Sequence, residues 1–152
     1  MPDTPAPQRR APRSEPRSKT VATWLAFIGG TLGLHRFYLH GARDVLAWLH
    51  PWPTLAGLYG VQRMRALGLD DHLSWLLIPL LGFMLAATML QAVVYGLTSD
   101  EKWRARHGAT RPSGWLAVIG VIVALMVGAT ALMATIAFSA QRAFEFSAEQ
   151  SP

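Results

Sequence analysis

Cysteine is absent from the 152 residues. Disulfides, thiolate catalysis and cysteine-ligated metal sites are therefore excluded. Charge is scarce, at 15% of the chain. Two stretches, 73–97 and 115–138, hold no Asp, Glu, Lys, Arg or His at all. Hydrolysis inside a lipid phase needs paired carboxylates, a Ser–His pair or a metal motif within such stretches, so no enzyme is expected. The five histidines, His35, His40, His50, His72 and His107, lack i, i+3 or i, i+4 pairing. No metal and no cofactor are expected from them. Basic residues occur without aromatic interleaving or a recognition helix, which argues against a nucleic-acid partner.

What is present is apolar length. A helix rises about 1.5 Å per residue and a bilayer core is about 30 Å thick, so roughly 20 apolar residues span it. Each uncharged stretch is long enough alone. Half of the chain is hydrophobic. The fold class expected is all-α, an integral membrane bundle of three or four transmembrane helices behind a disordered N-terminal tail.

Residues 1–18 hold Pro2, Pro5, Pro7, Pro12 and Pro16 with Arg, Ser and Thr between them. Such a segment buries too little apolar surface to offset its ordering entropy. A helical hairpin is expected over 19–68, its first segment an apolar helix over 20–39. The second segment, 45–67, is the weak one. Asp44 caps it, but Pro51 and Pro53 interrupt it and Gln62, Arg63 and Arg65 end it. A third helix, 69–98, begins at Asp70-Asp71, carboxylates suited to a helix N-terminus, and Pro79 bends it. A polar basic loop, 99–113, leads to a fourth helix, 114–148. That helix runs on into the interface, with Phe144 and Phe146 at headgroup level.

Small residues recur every four positions on the first and last apolar segments. Ala22, Ala26 and Gly30, with Gly33 beside them, make one stripe, and Gly120, Ala124 and Gly128 make the other. Small faces let helix backbones approach closely in lipid, so these seven are the candidate packing residues. His35-Arg36-Phe37-Tyr38 are the candidate lipid- or partner-binding residues. Arg36 offers a planar fork to phosphate, with two aromatics at the interface beside it. The competing reading is a snorkelling arginine that ends the helix.

The run Gly-x-x-Gly-x-His-Arg-Phe-Tyr-Leu (Gly30, Gly33, His35, Arg36, Phe37, Tyr38, Leu39), led by Lys19, Ala22, Leu25 and Ala26, resembles the TM-two (two-transmembrane) domain family. The resemblance covers about 24 residues, 18–41. His40 stands where the family has Gly directly after Leu, and Gln62 where its second helix has an acidic residue. The stretch from Asp70 onward resembles the two extra helices of bacterial members. The resemblance implies a membrane hairpin and no particular activity.

The expected role is structural or regulatory. It acts through helix association with a second copy or a membrane-protein partner, or through anionic lipid, in a bacterial inner membrane, multi-pass with the N-terminus cytoplasmic. The alternative is a minor transporter or channel component using Pro79 and the polar pair Gln91/Tyr95. Two topologies follow. If 45–67 spans, four crossings place Lys102, Arg104, Arg106 and Arg111 opposite the tail that carries Arg9, Arg10, Arg13, Arg17 and Lys19. If it does not, tail and loop share the cytoplasmic side. The charge rule favours the second and the resemblance the first. The four-crossing hairpin is the expectation.

Overall fold

The computed structural model describes residues 16–108 and 112–150, and every regular element among them is helical. In order they are α1 (Lys19–Gly29), a tight turn Gly30–Leu32, α2 (Leu34–His40), α3 (Val45–Leu49), α4 (Pro51–Leu67), α5 (His72–Leu97), α6 (Asp100–His107) and α7 (Trp115–Glu149). The tail expected over 1–18 falls mostly outside the described residues.

α5 is the central post, and three elements run antiparallel to it. Along α7 the pairs are Val121 with Gly96, Gly128 with Met89, Thr135 with Gly82, and Glu149 with His72. Along α4 they are Gly57 with Leu81, Gly60 with Leu77, and Arg63 with Asp71. Along α1 they are Lys19 with Thr98 and Gly30 with Thr88. α1 thus accompanies α5 only from Thr98 to Thr88, ten residues or about 15 Å of helix rise.

At that depth the chain reverses. Gly33 adopts the left-handed conformation, φ 78°, ψ 11°, and its N–H bonds to the Gly30 carbonyl at 2.8 Å. The carbonyl of Ala47 lies against the Gly33 Cα, where a side chain would have to go. α2 then returns toward the start of α1. The Tyr38 hydroxyl accepts the Ser18 N–H at 2.9 Å, and Leu39 packs with Ala22 and Trp103. The single apolar helix expected over 20–39 is therefore a helix–turn–helix hairpin that goes in and comes back. The physical reason is the glycine pair around Thr31-Leu32. Gly33 supplies the positive φ, and Gly30 lets the turn close onto Thr88.

The proline pair has a milder effect than expected. His50 keeps helical angles, φ −59°, ψ −41°, and Pro51 and Pro53 fall in the first turn of α4, where the missing N–H groups are tolerated. Asp44 caps α3 by accepting the Leu46 N–H at 3.0 Å. Taken together, 45–67 amounts to about 34 Å of helix rise, and Gly57 and Gly60 let it lie close against α5.

The loop expected over 99–113 contains α6. Ser99 accepts the Lys102 N–H, Asp100 and Glu101 sit in the first turn, and Arg104, Arg106 and His107 in the last. That order complements the helix dipole. Among the described residues, α5 and α7 are the two helices long and apolar enough to cross a membrane. Their outward faces expose Leu76, Leu90, Val94, Leu116, Leu125, Met126 and Met133.

Candidate functional site

The hairpin ends, the α2–α3 loop, α6 and the start of α7 gather at one end of the bundle. Among the described residues this end carries Arg17, Lys19, Arg36, Arg43, Lys102, Arg104 and Arg106 against Asp44, Asp100 and Glu101. The other end carries Arg63, Arg65 and Arg142 against Asp70, Asp71, Glu145 and Glu149. Lys102, Arg104 and Arg106 are exposed on α6, while Trp103 is buried and donates from its indole N–H to the Arg17 carbonyl at 2.7 Å.

Lys19 ties this end together. Its side chain is 8% exposed, and the ammonium meets Asp100 Oδ1 at 2.8 Å and donates to the Thr98 carbonyl at 2.9 Å. Asp100 also accepts from Ser113, through the hydroxyl at 2.8 Å and the backbone N–H at 3.2 Å. The Arg17 N–H reaches the His107 carbonyl at 3.2 Å. One carboxylate therefore joins the entry of α1, the α5–α6 corner and the approach to α7. Lys19 and the Ser113 hydroxyl hold the Asp100 carboxyl at about 2, below its ordinary 3.8.

A depressed carboxylate pKa contributes stability that is fully present above the ordinary value and is lost as pH falls through the lowered one. The Asp100 contribution therefore disappears between pH about 4 and 2. Lys19→Met is expected to cost about 1–2 kcal/mol at neutral pH, modest because Asp100 is one-third exposed. It should also flatten the acid side of a plot of Tm against pH in detergent. Asp71, whose carboxyl Arg63 and Ser74 likewise hold at about 2, and Asp44, lowered by Arg36, supply further slope. An unchanged acid limb in Lys19→Met would show that the ion pair does not form.

The four consecutive candidates His35, Arg36, Phe37 and Tyr38 do not converge on one site. His35 is fully buried. Arg36 Nε donates to Asp44 Oδ2 at 2.8 Å, which holds that carboxyl below its ordinary range. The Phe37 ring packs edge-on to Trp48 at 5.2 Å, and Tyr38 receives Ser18. The motif is used to hold the returning hairpin in place.

The seven small residues pack within the chain. Ala22, Ala26 and Ala124 have no exposure, Gly30 abuts Thr88, and Gly33 abuts Ala47. Gly120 abuts Thr23, and Gly128 abuts Met89. Pro79 lies within the unbroken helix α5, about three turns from Gln91.

One grouping has no local signature in sequence. The His35 ring meets His50 at 5.4 Å and Tyr95 at 5.8 Å between ring centroids, and the Gln91 side chain faces it. Helices α2, α5 and the α3–α4 junction each contribute a polar group to the same interior spot. No group of three or more His, Cys, Asp or Glu able to hold a metal occurs among the described residues.

Two helices that each hold an uncharged apolar stretch of spanning length with exposed apolar side chains, packed with a helical hairpin, point to a helical membrane protein. Residues 15–61 match the family model of the TM2 domain. Residues 15–61, about a third of the chain, thus form a TM2 domain; the match ends within α4, so all of α5–α7 lies beyond it. No curated protein and no solved structure matches.

Proposed function

We propose that this chain crosses a bacterial inner membrane three times, through α3–α4, α5 and α7, with α1–α2 dipping to about half depth from the cytoplasmic side. Its role is structural or regulatory and non-enzymatic, exercised through a basic cytoplasmic face that holds anionic phospholipid or an acidic partner. The observation that carries the reading is the sidedness of charge. The end that gathers Lys19, Arg43 and α6 has seven basic and three acidic described residues, and the opposite end has three basic and four acidic. Basic residues mark the cytoplasmic side, and anionic headgroups attract each of them by about 1 kcal/mol.

This arrangement removes the conflict between charge and hairpin. Tail and α6 share a side while 45–67 still crosses, because the segment that fails to cross is the first. The packing stripes are occupied inside the chain, so association through them is not part of the proposal.

A chain without cysteine is suited to single-cysteine labelling with a membrane-impermeant maleimide. Arg43→Cys and Arg106→Cys should both label only from the cytoplasmic side, and Asp70→Cys and Gln150→Cys only from the other. Position 43 decides the matter. It lies outside under either topology in which the first segment crosses, and labelling from that side would overturn the proposal. For the lipid, retention of phosphatidylglycerol over phosphatidylcholine on the purified protein should fall severalfold in a Lys102→Gln/Arg104→Gln/Arg106→Gln variant. Equal retention would remove the anionic-lipid role.

A further inference from the structure

We propose that His35 and Gln91 hold a buried water molecule between the hairpin and α5, in a site walled by the rings of His50 and Tyr95. Two observations carry this. His35 has no solvent exposure, yet neither Nδ1 nor Nε2 has a hydrogen-bond partner in the protein, and Gln91 Oε1 is buried and unpartnered as well. The Gln91 side chain stands beside the imidazole, and none of these three buried atoms has a partner.

The donor and acceptor inventory favours water over a direct contact. A neutral imidazole has one N–H and one lone pair, and an amide oxygen only accepts. His50 Nδ1 lies 2.6 Å from the Leu46 carbonyl. A carbonyl cannot donate, so His50 carries its proton on Nδ1 and presents a lone pair at Nε2. Among the unpartnered atoms, one His35 N–H therefore faces two acceptors, the other His35 ring nitrogen and Gln91 Oε1. One water accepts the His35 N–H and donates to Gln91 and to a ring lone pair, which is the usual count of about three bonds for a buried water.

The site also accounts for Gln91 itself. It is the one amide in an otherwise uncharged stretch, and it lies about 10 Å along α5 from Thr98, at the returning limb of the hairpin. A polar group there is costly unless it is partnered. The bridge joins α2 to α5 where the hairpin has no covalent or ionic tie to that helix, and it sets how deep the hairpin sits. The site stands independently of the proposed topology, since it requires only the contacts among α2, α3–α4 and α5.

The test is a double-mutant cycle on the full chain in detergent, read by Tm. His35→Leu and Gln91→Met should each lower Tm by on the order of 3–6 °C, because each leaves buried polar groups unpartnered. The double variant should recover most of that loss, since removing both partners leaves nothing unsatisfied. Additive losses would overturn the pairing.

Water-selective magnetisation transfer to the His35 ring N–H in proteoliposomes should give a cross-peak. A ring N–H coupled to the Gln91 carbonyl, with no transfer from water, would overturn the water in favour of a direct bond. A Zn²⁺-dependent rise in Tm that needs both His35 and His50 would overturn it in favour of a metal.

Discussion

Gly33→Val is expected to abolish the α1–α2 hairpin and to lower Tm by on the order of 10 °C. Two costs add at this residue. Its backbone sits at φ 78°, ψ 11°, a region a β-branched side chain occupies only at about 1–3 kcal/mol. A Cβ there would also run into the Ala47 carbonyl, with Ala47 C at 3.2 Å and Cα at 3.3 Å behind it. Backbone cannot swing aside as a side chain can, so overpacking costs a further 1–3 kcal/mol, roughly. Gly108 separates the two effects. It has φ 65°, ψ 19°, and a methyl group added there would meet nothing within 4 Å. Gly108→Ala should therefore show the conformational cost alone, and Gly33→Ala should exceed it. Equal losses at the two glycines would mean that α3 does not close over the turn.

How much of this is readable from residue order depends on the range of each interaction. The 73–97 and 115–138 stretches are α5 and α7 because length and absence of charge are local properties. Asp71 is legible as a cap for the same reason, and the structure has it accepting the Ser74 N–H at 3.2 Å. α6 carries local signals too, since Ser99, Asp100-Glu101 and the following basic residues form a capped, dipole-matched helix. Its polarity masks them and gives it the composition of a loop.

The hairpin is not legible. Whether 20–39 crosses depends on where Lys19 and Gly30 meet α5, and Lys19 finds its carbonyl at Thr98, 79 residues away. The four-residue spacing of Ala22, Ala26 and Gly30 announces a close packing face without saying whose helix fills it. The gathering of His35, His50, Gln91 and Tyr95 is hidden for a related reason. No helical period links positions on three separate elements, so in sequence the histidines are unrelated and the polar pair on α5 has the look of a transport pathway.

Gly128→Leu is expected to destabilise each molecule by about 3 kcal/mol or more, a fall in Tm on the order of 10 °C that does not vary with protein concentration. The stripe Gly120, Ala124 and Gly128 has the spacing of an association face between chains, but Gly128 lies against Met89 of the same chain, whose Cβ would be 2.6 Å from an added one. Ala124 has no exposure in the single chain. An interface between copies would make Tm rise with concentration by mass action, and a bulky residue there would abolish energy transfer between labelled copies while sparing the monomer's Tm. The two cases therefore part cleanly when Tm and energy transfer are read on the same variant across a wide range of protein-to-detergent ratio. The compensating swap sharpens the result. Met89→Ala alone opens a cavity and should cost about 2–5 kcal/mol, whereas Met89→Ala with Gly128→Leu exchanges bulk across one contact and should regain a large part of both losses. Recovery requires that α5 and α7 of one chain face each other at this level, because volume returned on α7 can only fill a gap that α5 of the same bundle has left.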